Sequence, residues 1–194
     1  MSGTDSSASK RASPTCDSSV RIVAGIWRGR QIAVPAGPVR PTADRVREAW
    51  MSIVTPRLGE ARVADLCAGS GALGLEALSR GAGHATFVED HASVRRILAE
   101  NIARLGAGER ATVVPQDVIR FVESLSAGAF DVAFVDPPYA SPLAAQIVEQ
   151  WMRVPFATHL SVEHAAKDTL PGAGDTRRYG TTAITFYSVA DPSA

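Results

Sequence analysis

From Val63 onward the chain alternates short strand-like runs with helical patterns, and that alternation limits the fold more than any other feature. Val63–Leu66, Ala85–Val88, Ala111–Val114, Phe130–Val135 and Leu160–Glu163 read as strands. Between them, 71–80, 92–105, 118–125 and 142–152 read as helices. In the second of these, Val94, Ile97, Leu98, Ile102 and Leu105 recur at helical spacing, and Gly106 closes the helix. Strands that alternate with helices pair in parallel, with helices on both faces and right-handed crossovers. Thr176–Tyr179 and Ala183–Val189, around Gly180, read as a terminal antiparallel hairpin. The expectation is an α/β, Rossmann-like, mostly parallel seven-stranded sheet. Ligands of such sheets bind at the carboxyl ends of the strands.

The front of the chain is organised differently. Residues 1–19 are Ser/Thr-rich and poor in large apolar residues, which predicts a disordered leader. They lack the apolar core of a secretory signal. Val20–Ala24 and Gln31–Val34 read as a hairpin through Gly25–Arg30, and Pro35–Pro41 reads as a loop. A helix is expected from Ala43 to Val54, capped by Thr42, with Val46, Ala49, Trp50 and Ile53 on one face. The expected segments are therefore a leader (1–19), a hairpin-and-helix extension (20–57) and the α/β body (58–194).

Charge separates the last two segments. The formal total is zero, but 20–57 carries seven Arg against Asp44 and Glu48, while 58–194 carries 11 basic and 16 acidic residues. A planar guanidinium fork suits phosphate, so the basic front fits a nucleic acid and the neutral total argues only against indiscriminate binding. Two cysteines, Cys16 and Cys67, exclude a disulfide framework or a four-thiolate zinc site and fit a reducing cytoplasm. His84, His91, His159 and His164 have no metal-ligand spacing, so no metal is expected. No apolar run approaches a membrane span.

The chemistry sits after the strands. Asp65-Leu-Cys-Ala68-Gly69-Ser70-Gly71-Ala-Leu-Gly74 contains G-x-G-x-x-G between a strand and a helix. Glycine admits a ligand close to the backbone, and the helix start offers free N–H groups. Glu89-Asp90 follows the next strand, where an acid suits a ribose diol. These features alone fit a nicotinamide dinucleotide as well as S-adenosylmethionine. Asp65 favours the second, because a carboxylate there would crowd a pyrophosphate but attract an ammonium group. Asp117-Val118, after the third strand, is a helix N-cap candidate that can also receive an amino group. Asp136-Pro137-Pro138-Tyr139 follows the fourth strand. An aromatic amine is a poor nucleophile, because its lone pair is delocalised into the ring. The Asp136 carboxylate and the Pro137 carbonyl can accept from its N–H groups and draw the nitrogen out of plane. The prolines hold the backbone rigid, and Tyr139 offers a stacking face. Cys67 reads as a packing residue. Trp27 reads equally as a stacking or a packing group, and His164 more as a surface or core residue than a site residue.

The D-x-x-x-G-S-G string resembles the glycine-rich motif of class I methyltransferases, and Asp136–Tyr139 resembles the motif of those that modify exocyclic or amide nitrogens. Arg21-Ile-Val-Ala-Gly25, Trp27-Arg28-Gly-Arg30 and Arg40-Pro-Thr42 with Arg45, Val46 and Arg47 precede that body, and Arg178-Tyr-Gly-Thr-Thr follows it. In that order, over about residues 20–190, the chain resembles the bacterial 16S ribosomal RNA guanine-N2 methyltransferases of the RsmD type, which modify guanine 966. Trp50-Met51 and the Gly-rich stretch 171–174 depart from the pattern.

The resemblance implies a cytoplasmic monomer that uses S-adenosyl-L-methionine on a partly or fully assembled small ribosomal subunit. Asp65, Ala68, Gly69, Ser70, Gly71, Glu89, Asp90, Asp117, Val118 and Thr42 would hold the cofactor. Asp136, Pro137, Pro138 and Tyr139 would orient the base. Arg21, Arg28, Arg30, Arg40 and Arg45 would grip RNA phosphates. Three alternatives stay open on the residues: an N6-adenine methyltransferase, a nicotinamide-dependent dehydrogenase, and a non-enzymatic assembly factor with a relic pocket.

Overall fold

The computed structural model describes residues 19–35, 41–138 and 141–189. The elements in chain order are β1 (Ser19–Arg21), β2 (Gln31–Ala33), α1 (Pro41–Val54), β3 (Arg62–Asp65), α2 (Ala72–Ser79), β4 (His84–Val88) and α3 (Ala92–Leu105). They continue with β5 (Ala111–Val114), α4 (Val118–Glu123), β6 (Phe130–Val135), α5 (Leu143–Arg153), β7 (Ala157–Ala165), β8 (Asp175–Tyr179) and β9 (Thr182–Ser188). Among the described residues, no helix is long and apolar enough to cross a membrane.

Seven strands form one sheet in the order β5-β4-β3-β6-β7-β9-β8. The first five run parallel, and β9 runs antiparallel to both β7 and β8. The doubly wound architecture and its terminal hairpin are those expected from the alternation. From β3 the chain winds outward to β4 and β5, then returns to β6 on the other side. The order therefore reverses between β3 and β6, and a crevice opens at their carboxyl ends. Asp65 and Asp136 stand at those two ends.

Helices cover both faces. On one face Trp50, Leu75, Leu98, Phe87 and Phe134 share a buried cluster with Val20, Ile22 and Ile32 of the front hairpin. On the other face Leu66, Val135, Ile147, Phe156 and Leu160 form a second cluster. The extension thus shares the core of the body.

Buried polar groups fasten the hairpin. Glu76 accepts the N–H groups of Val23 and Ala24 at 2.8 and 3.0 Å, and its Oε1 also takes Arg80 Nε at 2.7 Å. Trp27 N donates to Ser79 Oγ, and Ile26 N donates to the Ser79 carbonyl. A Cβ on Gly25 would lie 1.7 Å from that carbonyl, and its φ of +81° disfavours a side chain as well. Asn101 pairs with both the N–H and the C=O of Ala33 at 2.8 Å. Trp27 packs beneath the hairpin with the Arg110 guanidinium 5.1 Å from its ring centre.

Most element boundaries differ from expectation by a residue or more. β1 begins at Ser19, inside the expected leader. α1 begins at Pro41 rather than Ala43, because proline's fixed φ suits a first helical turn. Thr42 therefore stands within that turn rather than at the N-cap position. β7 extends to nine residues, since its ladder with β9 runs from His159–Ser188 to Ala165–Thr182. Backbone pairing there recruits polar residues that carry no apolar signal.

Candidate active site

The crevice holds a cavity of about 590 Å³, within the roughly 300–1,000 Å³ range of small-molecule sites. Its wall brings together Gly69, Glu89, Asp90, Asp117, Val118, Asp136, Pro137 and Pro138. These come from four separate strand ends, as the topology dictates. The carboxylates on that wall are Glu89, Asp90, Asp117 and Asp136, and among the described lining residues there is no Arg or Lys. The cavity therefore favours a cationic ligand and disfavours a pyrophosphate.

The glycines divide their work. Gly69 has a φ of +53° and nothing within 4 Å of where a Cβ would stand, so its backbone is open to the cavity. Gly71 precedes α2 with a φ of +83°, and a Cβ there would strike Leu98 at 2.5 Å. A Cβ on Gly74 would strike Phe87 at 2.3 Å. The last two glycines thus serve close helix–sheet packing. Ala68 and Ser70 lie behind the wall: Ala68 N donates to the Val88 carbonyl, and the Ser70 carbonyl accepts from Asn101.

Asp65 is 1% exposed and also lies behind the wall, where Oδ2 accepts the Gly74 N–H at 2.9 Å. Burial pushes its carboxyl up to about 7, against the pull of that hydrogen bond and with a further push from Glu89. Its position fixes the glycine loop from beneath. Glu89 accepts Gly69 N at 3.0 Å with one oxygen and His91 N at 2.9 Å with the other. It therefore braces the loop while facing the cavity. His91 occupies the N-cap position of α3 without capping it through its ring, which instead meets Asp90 and Glu89. Glu89, Asp90 and His91 set three ligand-type atoms within 4.8 Å of one another, but they are engaged with each other and no metal is assigned to them.

Asp117 caps α4, with Oδ1 accepting Arg120 N at 3.0 Å, and its second oxygen remains for a ligand on the same wall. Cys67 lines the cavity, and burial, reinforced by Asp65 and Asp136, pushes its thiol far above the ordinary range. A thiol held protonated in this way is a poor nucleophile.

Asp136 is exposed to the cavity yet crowded by protein on its inner side. Desolvation first, then the charges of Glu163 and Asp65, push its carboxyl well above the usual carboxylate range. The cation of Arg47 pulls it back. Pro137 and Pro138 divide the main cavity from a second one of about 190 Å³, lined on its far side by Glu163 and His164. His164 lies within β7 rather than after it, and its ring meets Thr185 Oγ1 at 2.8 Å and the Ala165 carbonyl at 3.0 Å. Tyr139, Arg40 and the side chain of Thr42 lie outside the described residues.

The basic residues converge beside this site. Arg21, Arg28, Arg45 and Arg47 line a concavity of about 290 Å³ together with Glu48. Arg30 is exposed but is not on that wall. In the sequence Arg47 stands out only as one of a cluster. Its role as the link between the basic concavity and Asp136 needs α1 to pack over the sheet.

The arrangement matches a known family. Residues 20–188 fit the family described as conserved hypothetical protein 95. The chain belongs to this family. It is 42% identical over 130 residues to the ribosomal RNA small subunit methyltransferase D of Escherichia coli K12, covering 66% of this chain and 65% of that relative. Among solved structures, a putative methyltransferase from Escherichia coli superposes with a TM-score of 0.76 at 35% identity, over 88% of this chain and 98% of that one. The 16S rRNA N2 G1207 methyltransferase of Thermus thermophilus, solved with AdoMet and guanosine, shares the fold with a TM-score of 0.64 at 20% identity, over 88% of this chain and 49% of that one. The family fold is thus the Rossmann-like class I methyltransferase fold, with a front hairpin added to it.

Proposed function

We propose that the chain transfers a methyl group from S-adenosyl-L-methionine to the exocyclic N2 of a guanine in 16S ribosomal RNA, guanine 966 by family resemblance, on the small subunit. The observation that carries this reading is the cavity wall. Four carboxylates and, among the described lining residues, no Arg or Lys face it, beside Asp136-Pro137-Pro138 at the reversal of strand order. The relatives' names support the substrate class.

The donor set fits the cofactor. Glu89 would receive the ribose hydroxyls, Asp117 the adenine amino group, and the open backbone at Gly69 the amino-acid end, with Asp65 holding that loop in place. When bound, the sulfonium supplies an electrophilic methyl group, so neither a metal nor a covalent nucleophile is required. Asp136 and the Pro137 carbonyl accept the two N2–H groups and concentrate the lone pair on nitrogen. The methylated nitrogen sheds one proton, and Asp136, whose proton affinity is raised, takes it. The basic concavity of Arg21, Arg28 and Arg45 grips phosphates next to the extruded base.

The test is transfer of labelled methyl to small subunits from a strain lacking this enzyme, with mapping of the product. N2-methylguanine at one site is expected. N6-methyladenine, or subunit binding without transfer, overturns the reading.

A further inference from the structure

One buried side chain joins the front hairpin to the glycine loop. Asn101 of α3 is 0% exposed. Its Oδ1 accepts the Ala33 N–H at 2.8 Å, and its Nδ2 donates to the Ala33 carbonyl at 2.8 Å and to the Ser70 carbonyl at 2.9 Å. Ala33 lies opposite Ser19 of β1, and the N–H and C=O of one strand residue point to the same side. The Asn101 amide therefore stands on the outer edge of β2, where a third strand would pair. Leu98 lies three residues earlier, on the same side of α3, and presses on Gly71, where a Cβ would meet it at 2.5 Å. Asn101 and Leu98 thus seat two successive residues of the glycine loop, Ser70 and Gly71.

Both segments that this amide holds run on into the wall of the cofactor cavity. Gly69, one residue before Ser70, lines it, and so does Pro35, two residues after Ala33. Among the described lining residues, Pro35 alone comes from the front extension. The hairpin is fastened separately on its turn side, where Glu76 takes Val23 and Ala24 and Ser79 takes Trp27. Asn101 holds the other side, the one that leads to the cavity. A leucine would fill the same space without the cost of burying an amide. The amide instead uses both of its N–H donors and its oxygen on backbone groups of two separate segments. Exchanging its oxygen and nitrogen would set donor against donor at Ala33, so its orientation is fixed.

We infer that Asn101 is a positioning residue for the methyl donor: it sets Pro35 of the extension against Gly69 of the glycine loop and so fixes the cofactor cavity on that side. This inference rests on the proposed S-adenosyl-L-methionine site. Asn101 itself is not on the cavity wall and acts only through Ala33 and Ser70. Without its amide, three buried backbone groups lose their partners, and the two wall segments are no longer joined. The phosphate-gripping side is affected less. Arg21 and Arg28 belong to β1 and the turn, which Glu76 and Ser79 continue to hold.

The experiment compares Asn101→Ala with Ser79→Ala in the full-length protein, well below both melting temperatures. Each substitution breaks buried bonds to the same hairpin, one on the cavity side and one at the turn. Calorimetry with S-adenosylhomocysteine is expected to show affinity about 10-fold weaker in Asn101→Ala. In Ser79→Ala it should stay within about 2-fold of wild type, although the melting temperature falls in both. In methyl-transfer assays, Asn101→Ala should raise the KM for S-adenosyl-L-methionine by the same factor and leave the KM for small subunits within about 2-fold. Should Asn101→Ala fail to fold, Asn101→Asp keeps the volume and the acceptor for Ala33 N, removes the donor to Ser70, and is read the same way. Unchanged S-adenosylhomocysteine affinity in the folded Asn101 variant overturns the assignment, and so does equal weakening in Ser79→Ala, which marks a general loss of stability. A rise in the subunit KM alone makes Asn101 a fastener of the hairpin and also overturns it. Failure of both Asn101 variants to fold makes Asn101 a folding residue, with the same consequence. In all these cases the proposed function stands. A wild-type protein that does not bind S-adenosylhomocysteine overturns the proposed function and this inference with it.

Discussion

The indole N–H of Trp50 donates to Ser161 Oγ at 2.8 Å, joining residues 111 positions apart. That single bond ties α1, which carries Arg45 and Arg47, to the strand that carries Glu163 two residues later. Trp50 and its neighbour Met51 are both fully buried. The Ser161 hydroxyl in turn donates to the Ala133 carbonyl of β6. Trp50 therefore sets the height of the basic helix above the strand ends.

Trp50→Phe removes the bond and keeps most of the apolar contact. It is expected to cost about 1–2 kcal/mol. For a chain of this size that lowers the melting temperature by roughly 2–8 °C, readable by calorimetry. An unchanged melting temperature would show that the bond does not hold α1 in place.

Asp136→Ala should lower methyl transfer at least ~100-fold, because it removes both an acceptor and the proton sink. S-adenosylhomocysteine affinity should change little, since Glu89, Asp117 and the glycine loop remain. Asp136→Asn should fall between the two, as its amide oxygen still accepts one N–H. Transfer near the wild-type rate in Asp136→Ala would remove Asp136 from the chemistry.

The acid limb of activity follows from the same carboxyl. Asp136 can take up the departing proton only when ionised, and its folded-state pKa is raised. Activity therefore rises as pH climbs through that raised value and is lost below it. Arg47 pulls the value down. Arg47→Met should move the acid limb of kcat/KM to higher pH by roughly half a unit or more. Removing the negative charge of Glu163 should move it the opposite way. A limb that ignores both substitutions belongs to another group.

RNA affinity should depend on salt through the basic concavity. Each lost phosphate contact lowers the slope of log affinity against log salt by roughly 0.7–0.9. Arg28→Gln with Arg45→Gln should therefore flatten the slope by about 1.5, with cofactor affinity unchanged. Arg30→Gln should flatten it less, because Arg30 lies off that wall. Filter-binding titrations with small subunits at several salt concentrations read the difference. Equal effects at Arg30 and Arg28 would spread the interface over the whole hairpin.

Much of this site is legible in one dimension. The alternation of strand and helix carries the parallel sheet, because side-chain periodicity is a local property. The acids after β3, β4, β5 and β6 are visible because strand ends are where such sheets bind ligands. Asp117 is readable as an N-cap from its place before a helix, and the cap is present. The division between a basic front and an acidic body follows from charge along the chain.

Other features need the third dimension. Asp65 reads as a ligand to a cation, but burial and the Gly74 N–H place it under the loop. Of the three glycines in the motif, only Gly69 opens to the cavity. Gly71 and Gly74 are small because Leu98 and Phe87 press against them. Glu163 carries no local signal as a strand residue, and Arg47 is one arginine among seven. The sequence by itself determined which elements form and which acids end them, since both depend on neighbours a few residues away. The tertiary structure decided which of those acids face the cavity and which brace it from behind. It also brought Arg47, Asp136 and Glu163 together, because strand register and helix docking join residues that no local pattern relates.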